Sequence, residues 1–353
     1  MEQQKRMKKI SIIGHFGGNG NRLSGQIVKT EIVTKALKNE YGENNIATFD
    51  TAGGIKTLLQ SKSIVNKAFE DSENVIIFPA QNAVRVFAPL VALKKRKKPD
   101  VGVHYVVIGG WLPLFLEKRR YLKDFLKEFD GIYVETQSIK KALNQMGFEN
   151  IFILPNCKEL QILKEDELVY STDEPLRLCT FSRVMKEKGI EDAVNAVKRV
   201  NETLGRTAYA LDIYGNIESG QEEWFEDLKA DFPDFIEYKG SVPFDESVDA
   251  IKDYYLLLFP TRFFTEGIPG TIIDAYAAGV PALCSKWENF SDLVEENKTG
   301  FCFEFLNNDD FYEMLLKSAT DTNRVFSMKK NCIKKAKSYL PGLALKPLFE
   351  RLY

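Results

Sequence analysis

Apolar positions along the chain follow two alternating rhythms. Short β-branched runs, KISIIG at 9–14 and then NIATFD, NVIIFP, VGVHYVVIGG and GIYVET, read as strands. Between them apolar residues recur at helical spacing. GQIVKTEIVTKALKNEYG at 25–42 predicts a helix closed by its glycine, and PLFLEKRRYLKDFLKEFDG predicts a single helix ended by Gly131. The pattern restarts after IFILPNCKEL at 151–160 and the polar, acidic KEDELVYSTDEP, which reads as a linker. PLRLCTFSR, AYALDIYGN, FIEYKGSV, YYLLLFPT, VPALCS and GFCFEF follow as strand candidates, again with helical stretches between them. Strands alternating with helices imply a parallel sheet covered on both faces. The expectation is an α/β chain of two doubly wound halves, each offering a ligand site at the C-terminal ends of its strands.

Composition narrows the class. At 353 residues, 44% hydrophobic and 28% charged, the chain has the make-up of a soluble globular protein of about two domains. No apolar run approaches the ~20 residues that span a bilayer. The opening MEQQKRMKKISIIG lacks the apolar core of a signal peptide. Cys157, Cys179, Cys284, Cys302 and Cys332 are scattered with no C-x-x-C pair. They read as reduced thiols of a cytoplasmic protein, not as a zinc site or a disulfide framework.

Charge is unevenly spread. Residues 1–165 hold 26 Lys and Arg against 17 Asp and Glu, and residues 166–353 hold 22 against 33. The basic half carries LKKRKKPD at 93–100 and EKRRYLK at 117–123, which flank the apolar WLPLFL at 111–116. Such a split points either to an anionic surface as partner or to plain solvated helix faces.

Three loops carry candidate chemistry. GHFGGNGNRLSGQIVKT at 14–30 has the strand–glycines–helix context that favours anions. It fails the dinucleotide fingerprint, which needs Gly where Leu23 stands, and the P-loop, which needs Lys and Ser/Thr where Gln26 and Ile27 stand. Neither NAD binding nor ATP hydrolysis is supported. In the second half, TFSRVMKEKGI places Arg183 and Lys188 after a strand, where two cations suit the charge that builds on a diphosphate leaving group. FPTRFFTEGIPGTIIDAYAAGVPAL then delivers Glu266 after the next buried strand. Pro269 and Gly270 suit a helix start, and Asp274 lies about one turn in, where a carboxylate can accept bonds from a diol.

Acids for hydroxyls and cations for phosphates fit a nucleotide-diphosphate sugar, and the whole chain resembles glycosyltransferase family 4, the retaining enzymes of GT-B fold. The marks are LPN at 154–156, FSRVMKEKGI, LDIYGN, KGSV, FPTRFFTEGIPGTIIDAYAAGVPAL and ENKTGF, in that order. The first loop and HYVVIGGWLPLFL look most like bacterial members that assemble capsule or O-antigen polysaccharide. The resemblance implies two Rossmann-like domains facing across a cleft: 1–160 on the acceptor side, 161–338 binding the nucleotide sugar, and 339–353 as a helix returning to the first. It implies Arg183 and Lys188 on the donor diphosphate, Glu266 at the transferred sugar and Asp274 on the ribose. Asn216, Gly267, Ile268, Pro269 and Gly270 join the donor side, as do Gly17, Gly18 and Gly20 of the first loop.

Two positions depart from the family pattern. Its second acid is usually Glu, and here it is Asp274. The His that many members carry at the end of an N-terminal strand is replaced by Gly109-Gly110-Trp111, with His104 earlier in the strand. Trp111 reads either as a stacking platform for a sugar or as a core residue. His15, in the first loop, is the other candidate on that side. No D-x-D triplet occurs, so no metal is implied, and the co-substrate expected first is a UDP-sugar. The expected acceptor is a saccharide or lipid-linked saccharide, with the N-terminal domain against the anionic inner face of the cell membrane and no nucleic-acid partner. A nucleotide-sugar epimerase of the same architecture and an inactive partner subunit are the rival readings.

Overall fold

A computed structural model describes residues 9–17, 25–53 and 55–352. They form two compact units, one from the chain up to Glu159 together with the segment from Leu340 on, the other from Leu160–Tyr339. In the N-terminal unit six strands, β1 (Ile10–Gly14), β2 (Ile46–Asp50), β3 (Asn74–Ile77), β4 (Gly102–Val106), β5 (Gly131–Val134) and β6 (Ile151–Ile153), form a parallel sheet in the order β2-β1-β3-β4-β5-β6. Helices α1 (Gly25–Tyr41), α2 (Ile55–Ala68), α3 (Gln81–Lys95), α4 (Leu112–Glu117), α5 (Tyr121–Leu126) and α6 (Gln137–Gln145) cover it. Side chains alternate across the strands as the pleat requires. Ile13, Val75, Ile77, Val103 and Tyr105 pack on one face, while Ile10, Ile12, Ile76 and Val106 pack on the other. The second face is closed by Ala344, Leu345, Leu348 and Leu352 from the returning C-terminal segment.

The single helix expected over 113–131 is two short ones, α4 and α5. At about 100° per residue, position 119 falls in the middle of the stripe made by Leu112, Phe115, Leu116, Leu122 and Leu126. That position is Arg, and a straight helix would press its guanidinium into the core. The chain breaks there instead, and Arg119 lies over the Phe115 ring at 4.1 Å. The same packing buries Leu112, Phe115 and Leu116, so half of the WLPLFL stretch faces the core and not an outside partner.

The C-terminal unit repeats the scheme with β7 (Leu176–Phe181), β8 (Tyr209–Tyr214), β9 (Ile236–Gly240), β10 (Leu256–Phe259), β11 (Ala282–Ser285) and β12 (Gly300–Phe303). Its parallel order is β12-β11-β10-β7-β8-β9. Around it lie α7 (Ile190–Leu204), α8 (Glu222–Ala230), α9 (Ser247–Ile251), α10 (Gly270–Ala277), α11 (Phe290–Leu293), α12 (Asn308–Thr320) and α13 (Thr322–Ala336). Among the described residues no helix is long and apolar enough to cross a membrane.

One buried charge in this unit has no acid bonded to it among the described residues. Lys329 on α13 is 1% exposed, and its Nζ donates only to the carbonyls of Tyr254 at 3.3 Å and Gly279 at 3.5 Å. Burial pushes its pKa down from 10.5 to about 8. Because the folded value lies below the unfolded one, the unfolded chain holds the extra proton between those two values, and stability rises with pH across that window. Raising the pH from 7.5 to 9.5 should therefore add about 2 kcal/mol to unfolding by urea, relative to a Lys329→Met variant. Parallel pH profiles for the two proteins would show that Lys329 is not held as described.

Candidate active site

In each unit the chain order reverses beside the first strand, and loops that leave neighbouring strands in opposite directions open a crevice there. In the C-terminal unit the reversal lies between β7 and β10, which pair directly. β7 runs into the loop carrying Arg183 and Lys188, and β10 into the loop carrying Glu266. The two loops meet: Lys188 Nζ donates to Glu266 Oε2 at 2.6 Å, with the side chains only 12% and 19% exposed. Glu266 Oε2 also accepts from Thr261 Oγ1 at 3.2 Å. The ammonium lies 5.2 Å from each of the Phe259 and Phe263 ring centres, an arrangement that favours a cation.

Several contacts hold this pair in place. Arg262 grips Asp192 at the start of α7 with two bonds of 2.8 and 2.6 Å, and its backbone N–H donates to Glu187 O at 2.8 Å. Asn289 Nδ2 donates to the carbonyl of Glu266 at 2.8 Å, and Ser285 Oγ to that of Thr261 at 2.7 Å. Gly189 adopts φ 69°, and a Cβ there would lie 2.0 Å from the carbonyl oxygen of Pro260. The close approach of the two loops therefore requires glycine. None of Thr261, Arg262, Ser285 and Asn289 was singled out in the sequence. Arg262 and Asp192 lie 70 residues apart, and no local pattern links them.

The other donor-side candidates are spread around this centre. Arg183 does not share the Lys188 contact: its Nη1 donates to Glu218 at 2.6 Å and the side chain is 56% exposed. Asn216 is exposed, and its carbonyl accepts from Val184 N at 2.9 Å. Gly267, Ile268 and Pro269 are buried, and Gly270 opens α10. In the first turn of α10, Thr271 Oγ1 is buried without a hydrogen-bond partner among the described residues. Asp274, expected about one turn into this helix to accept bonds from a diol, is 3% exposed and accepts from Ser247 Oγ of α9 at 3.1 Å, because α9 packs on that side of α10. Ser247 gave no signal in the sequence.

The N-terminal unit reverses between β1 and β3, and a cavity of about 490 Å³ opens there, lined in part by His15, Gln26, Gln81, Asn82 and Trp111. Trp111 packs against the core and also lines the cavity. Its ring meets Phe115 edge-on at 5.2 Å and lines the cavity, with Nε1 donating to Ile108 O at 2.8 Å. His15 Nδ1 lies 3.8 Å from Asp50, which also accepts from the backbone N–H groups of Phe16 and Ala52 and so ties the loops after β1 and β2. Gly17 takes φ 87° in the first loop; Gly18 and Gly20 lie outside the described residues. His104 is fully buried between Tyr133 Oη at 3.1 Å and Asn74 Oδ1 at 3.3 Å, and burial pushes its pKa down to about 4. It is a neutral core residue and no part of the cavity.

Residues 175–321, which hold Arg183, Lys188, Glu266 and Asp274, match the family Glycosyl transferases group 1. Over 132 residues the chain is 26% identical to the amylovoran biosynthesis glycosyltransferase AmsK of Erwinia amylovora, covering 36% of this chain and 32% of that protein. The match thus spans about a third of the curated relative's length. Among solved structures the chain superposes on HepE of Anabaena in complex with UDP and glucose, with a TM-score of 0.74 at 15% identity over 98% of this chain and 99% of that one. Sucrose-phosphate synthase of Thermosynechococcus elongatus superposes at 0.77, also at 15% identity, with the same coverage. The chain has the GT-B fold. Its two six-stranded parallel sheets are the two Rossmann-like halves of that architecture.

The meeting of the β7 and β10 loops can be tested without any ligand. Gly189→Ala should lower the unfolding free energy by at least about 2 kcal/mol, from the left-handed backbone and the clash with Pro260. Denaturant melts measure it, and an unchanged midpoint would mean that the loops do not approach as closely as described.

Proposed function

We propose that the protein is a retaining glycosyltransferase that moves a hexosyl unit from a nucleotide-diphosphate sugar, UDP-sugar first, to a hydroxyl of a saccharide or lipid-linked saccharide in bacterial surface polysaccharide synthesis. The observation that carries this reading is the 2.6 Å contact of Lys188 with Glu266 at the strand-order reversal of the C-terminal unit. A cation and an acid offered together, just ahead of α10, suit a ligand that carries anionic oxygens beside hydroxyls. The match of this segment to Glycosyl transferases group 1 and the name of AmsK support the same reading, and HepE supports UDP because its structure holds UDP and glucose.

On this reading Lys188 stabilises the diphosphate as the glycosidic bond breaks and negative charge builds on the leaving oxygen. The partial positive charge at the start of α10 adds to it, and the unpartnered Thr271 hydroxyl gives a donor for the same phosphates. Glu266, held by Lys188 and Thr261, orients the transferred sugar through its hydroxyls. Arg183 leaves Glu218 for the phosphate at little cost, because exposed ion pairs contribute only about 0–1 kcal/mol. Asp274 and Ser247 together take the ribose diol. In the N-terminal unit the cavity with Trp111 and His15 receives the acceptor: the indole face covers an apolar sugar face, and the amides of Gln81 and Asn82 meet its hydroxyls.

The two acids separate experimentally. Glu266→Ala should abolish transfer while UDP affinity, measured by calorimetry, stays within a few-fold of wild type. Asp274→Ala should weaken UDP itself. Lys188→Ala and Arg183→Ala should each lower turnover tenfold or more, about 1.4 kcal/mol. The reverse pattern for the two acids, or wild-type rates in the double cation variant, would overturn the assignments. Retention is checked by the anomeric configuration of the first product, read by NMR.

A chelator should leave the rate unchanged, because Lys188, Arg183 and the α10 terminus already oppose the diphosphate charge. Loss of activity in EDTA that magnesium or manganese restores would refute this. A nucleotide-sugar screen by thermal shift identifies the donor, since a ligand at 100 times its Kd adds about 2.7 kcal/mol to the folded state.

A further inference from the structure

Helices α2 and α3 pack side by side in the N-terminal unit, and a furrow of about 580 Å³ runs along their outer faces. Lys62 and Lys67 of α2 line it, with Lys94 of α3 and Lys98 just beyond, against one carboxylate, Glu70. Helical spacing accounts for the stripe. Leu59, Lys62, Ser63, Asn66 and Lys67 recur every three or four residues and point outward, while Ser61, Val65 and Ala68 are buried.

Among the described residues none of the four lysines is in an ion pair. Lys94 donates to Asn66 Oδ1 at 2.8 Å, and Lys98 to the carbonyls of Phe69 at 2.7 Å and Glu70 at 3.2 Å. Two neighbouring cations, at the end of α3 and just past it, are neutralised: Lys95 pairs with Asp130 at 2.9 Å, and Arg96 with Glu128 at 2.6 Å. Two large apolar side chains of the same helices stand in water, Leu59 in the furrow at 82% exposure and Leu93, which precedes Lys94 in the chain, at 46%.

We propose that this face of α2 and α3 docks the protein on an anionic phospholipid surface. Four clustered ammonium groups complement headgroup phosphates, and their aliphatic stems with Leu59 and Leu93 enter the headgroup boundary. A nucleic-acid backbone would satisfy the lysines and leave the leucines in water. The face differs from the one expected from the sequence, because Leu112, Phe115 and Leu116 are buried and part of the 93–98 run is paired. The proposal does not depend on the donor reading, since binding alone tests it.

Co-sedimentation with vesicles of phosphatidylglycerol and of phosphatidylcholine is the experiment. Wild type should pellet with the first, stay in the supernatant with the second, and release as salt shortens the Debye length from about 8 Å toward 3 Å. Lys62→Glu with Lys67→Glu should weaken apparent affinity by about tenfold or more, and Leu59→Ser should weaken it at low salt while leaving the salt dependence unchanged. A circular-dichroism melt confirms that each variant is folded. Equal recovery of wild type with both lipids, or full binding by the folded double-charge variant, would overturn the proposal.

Discussion

The contact between Lys188 and Glu266 is the constraint on which the C-terminal unit's site depends. Two opposite charges 2.6 Å apart, each more than four-fifths buried, attract strongly because little water screens them. They also impose a penalty, since either one left alone in that setting is costly, by about 3–5 kcal/mol in comparable buried pairs. The loops after β7 and β10 are therefore bound to each other. Everything nearby serves that closeness: Gly189 against Pro260, Arg262 clasping Asp192, Asn289 and Ser285 holding the backbone.

Such an arrangement suits the proposed transfer. A free ammonium in water must be brought to the leaving group and desolvated during the reaction, whereas Lys188 is already positioned and largely dehydrated. Glu266 keeps it there until a ligand with anionic oxygens competes. Because the acid and the cation share one contact, a ligand that draws Lys188 away also frees an oxygen of Glu266 for its own hydroxyls. In the proposed transfer, one exchange of partners would couple donor binding to orientation of the sugar.

The two units use the same topological device for different chemistry. Where the strand order reverses, the C-terminal unit places charge and the N-terminal unit places an aromatic ring and amides around a cavity. Charged loops suit a diphosphate; a ring beside neutral polar groups suits a sugar. The outer face of α2 and α3 uses a third combination, unpaired lysines with exposed leucines, at the opposite end of α3 from the Gln81 and Asn82 that line the cavity.

Much of this was legible along the chain, for physical reasons that are local. Alternation of apolar residues located the strands, because a pleat turns every second side chain the same way; helical spacing with a closing glycine located α1, and Pro269 with Gly270 marked the start of α10. Strand-end loops rich in glycine and charge marked Lys188 and Glu266, since backbone that must approach a neighbour tolerates no Cβ. The break at Arg119 was not legible, because spacing shows which positions line up but not whether the core accepts a cation. Nor was it visible that Lys188 meets Glu266 while Arg183 turns to Glu218, or that Asp274 is enclosed by Ser247, since those partners lie far apart in sequence. The sequence by itself determined the alternation of strands and helices, the fold class and which loops carry charge. Only the tertiary structure decided which charges pair and which stay free, because pairing depends on distance and burial, and both arise only when strands distant in the chain lie side by side.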